Sequence, residues 1–296
     1  MRFSAYLRFA LLFAVLTLFL LLVGYIVSFY LLGVPSTGVL FVMLGISLVM
    51  NIVSYLWGPS MILKFSHARI MDPNEFPSIH SMLDELSRNA GIPSPKLALV
   101  DQPQPNAFTT GRSKSNSVIV VTSGLLRVMN NDELKAVLGH EVGHVVHRDM
   151  ALATAAATVA TTITYMADIL FFSLLFGGGG GGRRSSGGGA GLFAALLAPV
   201  AATMVQLSIS RGREFYADEE SAKLTGRPDY LMSALRKIEE YVRRGVPLNV
   251  SPSTSSLWIS NPFRGSFSDI FSTHPATEKR IRNLSKLARK MGILVS

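Results

Sequence analysis

Two apolar stretches close to the N-terminus, about Phe9 to Leu32 and about Thr37 to Trp57, contain no charged residue. That feature limits the chain more than any other, because each is near the roughly 20 residues a helix needs to cross a hydrocarbon core. Two further stretches follow, about Ala151 to Phe176 and about Ala190 to Ile209. The third holds a single charge, Asp168, and the most polar member of the fourth is Gln206. The last two are rich in Ala and Thr, which suits close helix packing in a bilayer and would also suit buried helices of a soluble domain. Only 16% of residues are charged and 49% are hydrophobic, where soluble domains carry roughly 25% charge. We therefore expect four membrane spans. The first is an uncleaved anchor, since its apolar run is too long for a signal peptide.

The net charge of +9 does not point to nucleic acid, because Lys and Arg are spread along the segments between apolar stretches. Arg2, Arg8, Lys64, Arg69, Arg148, Arg211 and Arg213 flank the spans on one side, which places both termini and both polar regions in the cytoplasm of a multi-pass cell-membrane protein. Arg183 and Arg184, inside the Gly/Ser tract Gly177 to Gly189, oppose that orientation and are outnumbered. The absence of cysteine leaves His, Asp and Glu as the metal ligands available.

The expected organisation has four parts: residues 1–57 as two spans, 58–149 as the first polar region, 150–209 as two spans, and 210–296 as the second polar region. The fold class is α+β. In the first polar region, Asp72-Pro73-Asn74-Glu75 opens a helix with Ile79, Leu83 and Leu86 on one face, ending at Ala90-Gly91. Lys96 to Val100 and Ser117 to Thr122 read as strands, with an edge strand or hairpin over Asn106 to Gly111. Asn130 or Asn131 caps a helix running to Asp149. In the second region one helix runs through Glu214, Asp218 and Ala222 and a second from about Asp229 to Arg244. A Ser/Pro/Asn-rich loop follows, then a terminal helix with Arg280, Ile281, Leu284 and Leu287.

On the helix capped by Asn130 or Asn131 stands His140-Glu141-Val142-Gly143-His144. Two histidines four residues apart project from one face and can bind one ion, and the glutamate between them reaches a neighbouring water. This is the H-E-x-x-H pattern of zinc proteases, in which the metal acidifies a water and polarises the scissile carbonyl while the glutamate moves the proton. A catalytic zinc needs a third protein ligand. His147 lies seven residues from His140, about 10.5 Å along the axis, too far to share the ion. Glu214 is the better candidate, with Asp218 one turn on and able to hydrogen-bond a ligand histidine; the plainer reading pairs Glu214 with Arg211 or Arg213 on a solvated face.

These motifs resemble the membrane zinc metalloproteases that include the bacterial heat-shock protease HtpX and the CAAX prenyl endopeptidases. The resemblance also takes in Asn106-Ala107-Phe108 with Gly111, Arg148-Asp149, Ser210-Arg211 with Glu214 to Asp218, and His274-Pro275 before Arg280-Ile281. It implies a zincin-type domain holding one Zn2+ on His140, His144 and Glu214, with Glu141 as catalytic base and His274 on the substrate carbonyl. Asn106, Ala107, Phe108 and Thr109 then line the substrate-binding edge strand. Four spans and the chain length look like HtpX. The implied activity is cleavage of membrane or unfolded polypeptides in quality control and stress response, self-cleavage included. The rivals are a CAAX-type protease and a scaffold with structural zinc, the latter opposed by Glu141. His144 lies about six residues before the third span and Glu214 about five after the fourth, so the zinc is expected within roughly 10 Å of the bilayer surface.

Overall fold

The computed structural model describes residues 2–148, 150–176, 211–250, 252–261 and 275–293. The two uncharged stretches are the helices α1 (Arg2–Leu32) and α2 (Thr37–Phe65), both long and apolar enough to cross a membrane. They turn large apolar side chains outward: Leu18 is 66% and Phe41 73% exposed. Surfaces of that kind are stable in lipid rather than in water. The third apolar stretch is helical as α6 (Met150–Phe176). The fourth stretch, the Gly177 to Gly189 tract and His274 lie outside the described residues.

α2 does not stop at Trp57. It continues through Gly58-Pro59 to Phe65, although proline lacks a donor for the helical ladder. Packing explains the continuation. Ile62 is fully buried, the Ser54 hydroxyl donates to the Ala155 carbonyl at 3.0 Å, and the Thr158 hydroxyl reaches the Gly58 carbonyl at 3.4 Å. Small side chains let α2 and α6 approach closely enough for these bonds.

Four strands form one sheet in the order β1-β2-β4-β3: β1 (Arg69–Ile70), β2 (Lys96–Val100), β3 (Ala107–Ser113) and β4 (Asn116–Thr122). β2 and β4 are parallel and the other pairs antiparallel. β3 is an edge strand hairpinned to β4, with a bulge between Gly111 and Ser113. At Gly111 (φ 151°) a Cβ would lie 2.4 Å from the Asn116 carbonyl oxygen, so the close hairpin requires glycine.

Side chains alternate across the sheet. Leu97, Leu99, Ile119 and Val121 face a core built with α3 (Pro77–Asn89) and α5 (Asn131–His147). Ala98, Val100, Phe108, Val118 and Val120 face the other way, onto Ile62 of α2, Ala157 of α6 and Trp258. A sheet covered on both faces needs apolar runs rather than strict alternation, and Leu97 to Val100 and Val118 to Val121 supply them.

The helix expected from Asp72 begins later, at Pro77. Phe76 adopts a left-handed conformation (φ 55°), and before it Asp72 accepts a bond from the Asn74 amide at 2.8 Å, an Asx turn that holds the chain out of helix. A short helix α4 (Ser123–Val128) leads to α5. Asn130 caps α5 through a capping box with Glu133, and Arg148 (φ 58°) ends it. Two helices, α7 (Arg211–Thr225) and α8 (Pro228–Arg243), pack against α5. A 3-10 helix (Pro252–Leu257) and α9 (Thr277–Lys290) complete the described chain.

Candidate metal and catalytic site

The buried run His140-Glu141-Val142-Gly143 lies in the middle of α5, against α7. The approach is close because the facing residues are small. A Cβ on Gly143 would fall 2.9 Å from the Ala217 Cα, and one on Gly139 would fall 3.2 Å from the Ser221 Oγ. This packing brings Glu214, near the start of the described part of α7, against the two histidines.

Metal-capable atoms of His140, His144 and Glu214 lie within 4.8 Å of one another. The two Nε2 atoms are 3.2 Å apart; Glu214 Oε2 is 3.6 Å from His140 Nε2, and its Oε1 is 3.7 Å from His144 Nε2. Ligands 2.0–2.1 Å from a tetrahedral ion stand about 3.3 Å from each other. The three separations therefore fit one small cation between these groups, and the two carboxylate distances are too long for hydrogen bonds. Formal charge agrees. Glu141, Glu214 and Asp218 are all buried here, and the one buried cation among the described residues at the site is Arg280. A divalent ion brings the enclosed formal charge to zero. Two imidazoles and one carboxylate are donors suited to zinc rather than to the oxygen-seeking magnesium or calcium.

Asp218 accepts from His140 Nδ1 at 2.9 Å. That contact fixes the tautomer whose Nε2 lone pair points into the cluster. Burial pushes the Asp218 carboxyl up, but the Arg280 guanidinium and His140 outweigh it and hold the group below the usual carboxylate range. Glu141 is oriented from β3: the Thr109 hydroxyl donates to its Oε2 at 2.7 Å. His147 stands apart from the cluster, its Nε2 4.0 Å from Glu220 Oε2.

The stretch Asn106 to Thr109 divides its tasks. The Asn106 side chain donates through Nδ2 to the Ser260 carbonyl at 2.9 Å. Ala107 accepts from the Ile259 amide at 2.8 Å, and Phe108 packs edge-on against Trp258 with ring centroids 4.6 Å apart. Of the four, the side chain that touches Glu141 is that of Thr109. Since the Asn106 carbonyl bonds β4 through Thr122, strand alternation turns the main-chain groups of Ala107 and Thr109 to the outer edge. Beside them opens a small cleft of about 30 Å³, lined by Thr109, His144 and Glu214, by Met150 and Ala153 of α6, and by Arg213, Ser256 and Leu257.

A model of peptidase family M48 matches residues 73–288. The chain belongs to that family. The Protease HtpX homolog of Pyrococcus furiosus is 43% identical over 295 residues, covering 99% of this chain and all of that one. The homolog of Thermococcus sibiricus is 42% identical over 297 residues, 99% of both chains, and that of Aquifex aeolicus 43% over 249 residues, 82% of both. The crystal structure of S. mikatae Ste24p aligns with a TM-score of 0.49 at 23% identity, over 90% of this chain and 61% of that one, too loose a likeness to carry an argument. As an M48 member of the HtpX type, this chain is a metalloprotease, a hydrolase of peptide bonds.

Arg280 is the site residue that sequence reasoning passed over. The sequence puts it on the terminal helix and within the family resemblance without giving it a role, yet it is 2% exposed and bonds Asp218. The signal was its position: Arg280, Leu284 and Ala288 share the buried face of α9, and a charge in an apolar stripe needs a buried partner.

Proposed function

We propose that this metalloprotease is a zinc-dependent integral-membrane endopeptidase. Its substrates are membrane proteins or misfolded polypeptides, cut at the cytoplasmic face of the cell membrane in membrane-protein quality control, and it spans the membrane four times. The observation that carries the reading is the cleft beside the metal cluster. Its wall includes Met150 and Ala153, the first residues of α6, and the sheet behind it packs directly on α2 and α6. A site built at the root of apolar helices favours chains that arrive along the bilayer surface.

His140, His144 and Glu214 would hold the ion, which when bound supplies Lewis-acid polarisation of the scissile carbonyl and acidifies the attacking water. Glu141 takes the proton from that water and returns it to the leaving amine. Thr109 keeps the Glu141 carboxylate aimed by its 2.7 Å bond. Asp218 keeps His140 in the ligand tautomer. Ala107 is tied at its carbonyl by the Ile259 amide, and beyond it the outward main-chain groups of Thr109 receive the substrate as an added strand, giving hold without demanding a particular side chain. His274 is assigned to the substrate carbonyl by family resemblance alone.

The test is Glu141→Ala in the purified full-length protein, with metal content and cleavage measured together. One zinc per chain should remain while peptide-bond cleavage disappears; cleavage at the original rate would end the reading. For the location, a membrane-inserted substrate should be cut faster than the same segment presented as a soluble unfolded chain, and equal rates would count against it.

A further inference from the structure

The terminal helix α9 delivers one cation to the interior, and what it touches joins parts of the site that are far apart in sequence. Arg280 Nε donates to Asp218 Oδ2 at 3.0 Å and its Nη2 to Oδ1 at 2.6 Å. Nη1 donates to the Ile259 carbonyl at 2.7 Å and stands 3.5 Å from Glu214 Oε2. Asp218 Oδ1 meets the Nδ1 of His140, and the Ile259 amide donates to Ala107 on the β3 edge. Two residues along that edge, Thr109 holds Glu141.

We propose that Arg280 is a positioning residue, fixing the metal cluster through Asp218 and tying it through Ile259 to the strand that orients Glu141. This rests on the metal-site assignment of the preceding section. A guanidinium is suited to the task because its planar fork engages both Asp218 oxygens at once and leaves a third donor for a carbonyl. With both oxygens gripped, the Asp218 carboxylate cannot rotate away from His140 Nδ1. Without Arg280, three buried carboxylates, Glu141, Glu214 and Asp218, would surround the histidine pair with no buried side-chain cation beside them, and Asp218 would have one fixed partner where it now has two. A lysine would restore the charge but not the fork.

The experiment uses full-length protein in detergent and measures the zinc dissociation constant by competition with a chelating chromophore. Arg280→Gln should weaken zinc roughly 10–100-fold, the range for losing a group behind a ligand, and Arg280→Lys should weaken it by less. Because Arg280 acts through Asp218, Asp218→Asn combined with Arg280→Gln should bind zinc no more weakly than Asp218→Asn alone. A merely structural arginine would lower thermal stability in every variant yet give losses of affinity that multiply in the double variant. Wild-type affinity in either folded Arg280 variant, or multiplying losses, would overturn the proposal. If Arg280→Gln does not fold, the Lys variant decides. A wild-type protein that binds zinc tightly but cuts nothing would refute the protease mechanism without moving this readout.

Discussion

Replacing Gly143 by alanine should damage the metal site more than it damages the fold. On helix propensity alone the change would stabilise, since alanine in a helix interior is better than glycine by about 0.5–1 kcal/mol. Packing opposes it. The new Cβ would lie 2.9 Å from the Ala217 Cα, 3.1 Å from the Ala217 carbonyl oxygen and 3.2 Å from the Glu220 Cβ. Carbon atoms rest about 3.5–4.0 Å apart, so α7 must retreat by about 0.6–1 Å. The closest obstacles are backbone, which no rotamer change relieves. Overpacking of this kind costs about 1–3 kcal/mol, leaving a small net loss of stability. Metal ligands tolerate only about 0.2 Å, and Glu214 moves with α7. Zinc affinity should therefore fall on the order of tenfold or more, with a drop of a few degrees in the melting temperature. The assay pairs a zinc competition titration with thermal unfolding in detergent. Gly45→Ala on α2 is the control, because a Cβ there meets nothing within 4 Å. A Gly143→Ala protein that melts higher than wild type and binds zinc equally well would refute the close-approach argument.

Two further outcomes can be measured. Thr109→Val keeps the shape but removes the bond to Glu141; zinc content should hold while kcat falls on the order of tenfold, one charged hydrogen bond being worth about 1.5–3 kcal/mol. Glu133, buried at the start of α5, is pushed up by burial but pulled further down by Lys237, the Asn130 amide and Ser233, so its pKa lies below the ordinary value of 4.5. Its stabilisation is complete above that ordinary value and is lost as pH falls through the depressed folded pKa. Melting curves of metal-free wild type and Glu133→Gln should then differ at pH 7 and draw together as the pH falls through the depressed folded pKa; a constant gap would show that the ion pair with Lys237 is not the source.

Much of the site could be read from the sequence because its geometry is local. His140, Glu141 and His144 sit on one helix, and a period of 3.6 decides which faces they share. Glu214 and Asp218 carry a similar one-turn spacing, so the aspartate behind the ligand was readable too. The stretch Asn106 to Gly111 reads as an edge strand or a hairpin, and β3 is both. What was not legible depends on long-range packing. Nothing in the composition of the Ser/Pro/Asn-rich loop shows that it buries Trp258 fully against Phe108. Nothing local marks Arg280 as a partner of Asp218, since their pairing requires α7 and α9 to dock first. The continuation of α2 past Pro59 was hidden for the same reason: its residues 58–65 are held by α6 and the sheet rather than by propensity.

The sheet that lies between the soluble core and the membrane helices also sets a limit on how the enzyme can exist. Were the catalytic portion severed from α2 and α6, the sheet face of Ala98, Val100, Val118 and Val120 would lose its cover from Ile62 and Ala157 and open apolar surface to water, with Trp258 left over Phe108. The first wall of the cleft would leave with α6. Such a fragment would have an incomplete pocket and a self-associating surface, so clipping the anchors would inactivate the protease rather than release it. The catalytic portion can therefore work only while joined to α2 and α6, with no need for an inhibitor to keep a liberated catalytic fragment in check.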